Sequence, residues 1–145
     1  MKSILTLPIV RRKLICILLG FGFGFLCAYV GWILTPELKA DPNFWWSPLM
    51  WAIVYNRTLI GFFVLLFGIF TIHPIFHFKL SPWFRGATAG AVVSLDLAIG
   101  SLLFPYENAW QTFWALILVG AIYGLIIDVV ATKFAGEGED LLKKL

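Results

Sequence analysis

Charge is what this sequence has least of. Only 13% of its 145 residues are charged, against a hydrophobic share of 61% and a mean hydropathy of +0.91; ordinary soluble domains are about 25% charged. That scarcity excludes a water-soluble globular fold and points to one membrane domain. Histidine and cysteine are scarce too, at two each. Cys16 and Cys27 lie in one apolar run without CxxC spacing, so they read as small buried apolar residues. His73 and His77 stand at i, i+4, a spacing that can put two imidazoles on one metal. Pro74 lies between them, however, and no third ligand is evident, so no metal is expected and these two are its weak candidates. A haem between helices would need histidines on different spans, and no cofactor is expected. The net charge of +3 does not mark a nucleic-acid partner, because most basic residues flank apolar runs, where membrane orientation accounts for them.

What the chain has in abundance is apolar length. Four runs, about 14–34, 48–72, 85–104 and 110–132, are each long enough to cross the hydrocarbon core as a helix. The spacing predicts an all-α integral membrane bundle of four transmembrane helices over 14–132. A cytoplasmic or interfacial N-terminus (1–13) precedes it, with Ile4 to Val10 as a short surface segment. A polar tail (133–145) follows, as a short surface helix or disordered. The first run is too long for a signal-peptide core and no small-residue cleavage site ends it, so it is expected to remain as a span. Thr35 to Trp46, with two prolines and an aromatic pair, reads as a loop at the headgroups; Ser47 and Pro48 read as N-cap and first position of a continuous second helix. The His73–Pro82 stretch reads as a tight basic turn, and Pro105 to Asn108 as a loop. Trp45, Trp46, Trp51 and Trp110 on one side and Trp83 on the other read as interfacial anchors.

With four spans, nine of the eleven basic residues share one side, Lys2, Arg11, Arg12, Lys13, Lys79, Arg85, Lys133, Lys143 and Lys144. Both termini are therefore expected in the cytoplasm, with a prokaryotic inner membrane as the setting. Small residues recur every fourth position in three spans: Cys16, Gly20, Gly24, Ala28; Gly86, Gly90, Ser94, Ala98; and Gly120, Gly124, Asp128, Thr132. Such ridges let helix backbones approach closely in lipid, and these three helices are expected to form the compact core. The second span, rich in phenylalanine, is expected to show more surface to lipid or a neighbour. Matching glycines in the two hairpins hint at a parallel repeat, but no single offset aligns both halves.

Asp96 is the most costly residue in this plan, lying near mid-membrane on a stripe with Arg85, Ala89 and Val92. Its expected partner is Arg57, about 15 Å deep in the second span if that helix is continuous. Asn56 and Ser94 would supply further hydrogen bonds to this polar midplane site. Asp128, near the cytoplasmic end, is expected to reach Arg85, Lys133 or water. Asn56-Arg57-Thr58 matches a glycosylation sequon, but its membrane depth argues against use. Asp96 and Asp128 lie at different depths, which argues against an intramembrane enzyme, and none is expected. Two functions remain: a transport or channel-forming subunit for a small ion or solute, and a non-catalytic accessory subunit of a larger membrane complex. In either, the partners are the bilayer and copies of the chain or other membrane subunits.

Overall fold

The computed structural model describes residues 7–73, 75, 77–103 and 108–141. The readings placed on Lys2, Ile4 to Thr6, Pro74, Pro105 to Glu107, Lys143 and Lys144 lie outside the described residues. Within them the chain is all-helical, with one isolated antiparallel bridge between Ile72 and Lys79. The principal helices are α1 (Pro8–Leu34), α2 (Pro36–Ala40), α3 (Pro48–Phe67), α4 (Pro82–Val93), α5 (Leu95–Leu102) and α6 (Ala109–Ala135). Three of them, α1, α3 and α6, are long and apolar enough to cross a membrane, and the chain is compatible with a multi-pass integral membrane protein.

Helix α1 begins at Pro8, a residue whose fixed φ and missing N–H suit a first helical position. Pro8 to Val10, expected in a short surface segment, and the basic Arg11, Arg12 and Lys13 therefore form its first turns. Helix α3 is continuous from Pro48, and the Ser47 hydroxyl accepts the amide of Met50 at 3.2 Å. It stops at Phe67, earlier than its apolar run suggests, because the chain turns at Gly68 into a hairpin. There Leu80 donates to Thr71 O and His73 to Phe78 O, each at 2.9 Å. The third predicted span is two helices, α4 and α5, parted at Ser94. Helix α6 runs to Ala135 and is closed by Gly136 at φ 85, a left-handed conformation that favours glycine. In the described part of the tail, Gly138–Leu141 forms a 3-10 turn with Leu141 buried, and the Gly138 amide donates to Gly68 O at 2.9 Å.

The small-residue ridges are the packing surfaces. A Cβ on Gly20 would sit 2.7 Å from Arg57 O, and one on Gly24 would sit 2.7 Å from the Val54 Cα, so α1 and α3 touch backbone to backbone. Gly86 and Gly90 of α4 meet Gly124 and Gly120 of α6 in the same way. The expectation that the second span shows more surface than the others needs correction, since α3 is more buried than α1 or α6. It packs on α1, α4 and α6 together because Gly61 lets the Cys16 carbonyl approach and Asn56 and Arg57 point inward, while Trp51, Tyr55, Phe62, Leu66 and Phe67 look out. Leu18, Leu118 and Ile122 are more than half exposed, the apolar exterior expected of helices solvated by lipid.

Candidate functional site

Two polar clusters lie among these helices. The first centres on Asp128, on the ridge of α6 and fully buried. Arg85 of α4 grips it with both arms, Nε donating to Oδ2 at 2.7 Å and Nη2 to Oδ1 at 2.9 Å. The expected contact between these two residues is present, with Arg85 in place of Lys133 or water. Arg12 Nη2 donates to the same Oδ1. Thr132, one turn on, takes Arg12 Nη1 at 3.1 Å and Arg85 Nη2 at 3.3 Å and donates to Asp128 Oδ1 at 3.2 Å. Glu137 completes the charge balance, 2.9 Å from Arg85 Nη2: two guanidinium groups face two carboxylates. Further donors go to backbone oxygens, Arg12 to Val64 and Gly136, Arg85 to Phe70, while Arg12 Nε has no hydrogen-bond partner in the structure. One carboxylate thus ties α1, α3, α4 and α6 and the start of the tail together.

Arg12 is the residue that sequence reasoning missed here. Beside an apolar run it reads as an exposed topological charge, yet it is fully buried. A signal existed: it lies four residues before Cys16 and so continues the ridge of α1. Its guanidinium passes over Gly68, where any side chain would collide with it.

The second cluster gathers all four residues expected at mid-membrane, in a different order. Arg57 is fully buried, but its partners are Ser94 Oγ at 2.5 Å and Asn56 Oδ1 at 3.1 Å, with the Tyr123 ring 5.7 Å away. Asn56 stands between the charges: its Nδ2 donates to Asp96 Oδ1 at 2.6 Å and to Val93 O at 2.9 Å. The direct Arg57–Asp96 ion pair is therefore replaced by a relay through an amide. Arg57 Nε and Nη2 have no hydrogen-bond partner in the structure. Nor is Asp96 enclosed. It lies exposed on the outer face of the helices, because α5 turns that position outward while Ser94 and Ala98 keep the ridge against α6.

The same contacts explain the break at Ser94. In an unbroken helix the Val93 carbonyl would accept the Leu97 amide. Asn56 occupies that carbonyl, and the Leu97 amide turns to Asp96 Oδ1 at 2.6 Å. A side chain inserted into the helical ladder, with no proline or glycine involved, divides α4 from α5.

The histidine pair lies in the hairpin after α3. His73 Nδ1 accepts the Ile75 amide at 3.2 Å and its ring stacks on Phe78, 5.1 Å between centroids, so that nitrogen is committed to the turn. Between α3 and α4 runs an apolar groove of about 740 Å³, walled by Phe63, Phe67 and Phe70 on one side and by Phe84, Ala89 and Val92 on the other. Compared with protein families, with characterised proteins and with solved structures, the chain matches none.

Proposed function

We infer that the chain is a four-crossing integral membrane protein that works as a non-catalytic accessory or assembly subunit of a larger membrane complex. In this reading α4 and α5 cross together, since Pro82 to Leu102 at about 1.5 Å per residue reaches roughly 31 Å, the thickness of the hydrocarbon core. Both termini lie on the cytoplasmic side, as the nine grouped basic residues favour. The observation that carries the functional reading is the outward position of Asp96. A carboxylate at membrane depth is costly facing lipid and is compensated when neighbouring protein covers it. Helices packed through glycine ridges also leave little room for a path inside one copy. The test is purification from native membranes in a mild detergent: a second membrane polypeptide in fixed ratio supports the reading, and a lone homo-oligomer contradicts it.

One observation favours transport of a small ion or solute instead. Arg57 keeps two buried N–H groups without protein partners, which suits a polar path through Asn56, Ser94 and Asp96. Flux through purified protein in liposomes, lost in Asp96→Asn, supports that alternative; the absence of any flux removes it.

A further inference from the structure

The groove between α3 and α4 and the Asp96 carboxylate are parts of one surface. On α3, Asn56, Phe63 and Phe67 follow one another at intervals of seven and four residues, which places them on a single stripe, and Phe70, in the turn just beyond the helix, continues the groove wall. On the opposing wall, Val92 stands four residues before Asp96, and Asn56 reaches across to hold that carboxylate. The apolar walls thus lead to a single exposed acid. Ala89 and Thr88 lie between the aromatic side chains, small enough for another backbone to approach closely, as helices require when they associate in lipid.

Charge decides what fills this surface. An acyl chain would cover the phenylalanines and leave an ionised Asp96 facing hydrocarbon, at a cost of at least a few kcal/mol. The described residues of a second copy bring no counter-charge to that depth. Among the described residues its exposed basic side chains, Arg11, Lys13, Lys39, Lys79 and Lys133, sit at helix ends or in loops, and Arg57 is buried. We propose that the α3–α4 groove is the docking site for a transmembrane helix of a different polypeptide, one that carries a lysine or arginine at the depth of Asp96. The proposal rests on the assembly-subunit reading and adds the face used and the chemistry of the partner.

The experiment places a photoreactive benzoylphenylalanine at Val92, in the groove, and separately at Leu118, exposed on α6, in the full chain in its native membranes. The Val92 probe is expected to join one heterologous polypeptide, at a membrane segment with a lysine or arginine within a turn of the crosslink. Asp96→Asn keeps an oxygen for the Leu97 amide and for Asn56 while removing the charge. It is expected to lower the yield of that adduct at least about tenfold, as neutralising the partner's basic residue should too. An adduct to a second copy, to lipid, or to a segment without a basic residue overturns the proposal. So does an adduct that Asp96→Asn leaves unchanged. A heterologous adduct from Leu118 and none from Val92 overturns the docking site and leaves the assembly reading standing. Adducts from neither position, with no second polypeptide co-purifying, overturn both.

Discussion

Removing the charge of Asp128 is the most informative single change. Its carboxylate accepts two buried bonds from Arg85, one from Arg12, and a part-buried one from Thr132. Asp128→Asn leaves two guanidinium groups with only Glu137, 23% exposed, to balance them. It also turns an amide N–H₂ toward one of the arginine donors. Breaking a buried pair by removing one partner costs about 3–5 kcal/mol, because the other charge is left uncompensated. At 1.4 kcal/mol per tenfold, even the lower figure moves the unfolding equilibrium by about two orders of magnitude. Reversible unfolding in mixed micelles titrated with dodecyl sulfate, followed by circular dichroism and tryptophan fluorescence, measures it. Adding Arg12→Gln should return part of the loss, because the two residues share one network and their effects do not add. A loss for Asp128→Asn below about 0.5 kcal/mol, the size of an ordinary surface change, would refute the claim that this carboxylate ties the helices together.

Glycine position should decide the sign of alanine substitutions. Gly90→Ala and Gly124→Ala push a methyl into the facing helix backbone and should each cost about 1–3 kcal/mol in the same assay. Gly22→Ala meets nothing within 4 Å and should be neutral or stabilising by up to about 1 kcal/mol. Ser94→Ala takes the nearest acceptor from the buried Arg57 guanidinium and should cost about 1–3 kcal/mol. Asn56→Leu frees the Val93 carbonyl, and the Leu97 amide should then rejoin the helical ladder; slower hydrogen exchange at Leu97 would report α4 and α5 fusing, and unchanged exchange would show that Asn56 does not cause the break. A single cysteine at Ile75 in a Cys16→Ala, Cys27→Ala background should be labelled from the cytoplasmic side only, and one at Lys39 from the opposite side only; labelling of both from one side would remove the four-crossing topology.

The packing ridges were legible in the sequence because a four-residue spacing of glycine, alanine and serine fixes both the side of a helix and its closeness to a neighbour. Membership of the second polar cluster was legible from depth, since Arg57 and Asp96 could be counted inward from Pro48 and Arg85. Direction around the helix was less so. The stripe holding Asp96 was separable from the ridge, but whether that stripe met protein or lipid depended on where α3 settled, which Gly61 and the buried Asn56 decide. The interruption at Ser94 was invisible locally, because its agent is the Asn56 side chain, 37 residues before the Val93 carbonyl it binds. Arg12 was hidden by its company: among Arg11 and Lys13 it looks like one more flanking charge, and only its register with Cys16 sets it apart.

The outward position of Asp96 is open to direct measurement by nitroxide labels at Val92 and Ile99, which flank it on the exposed face and are each more than half exposed. Reconstituted in liposomes in the Cys16→Ala, Cys27→Ala background, both labels should collide readily with dissolved oxygen and poorly with a water-soluble nickel chelate, the signature of lipid-facing sites. Ready collision with the chelate at both positions would place this face along water, contradicting the docking account and favouring a transport path.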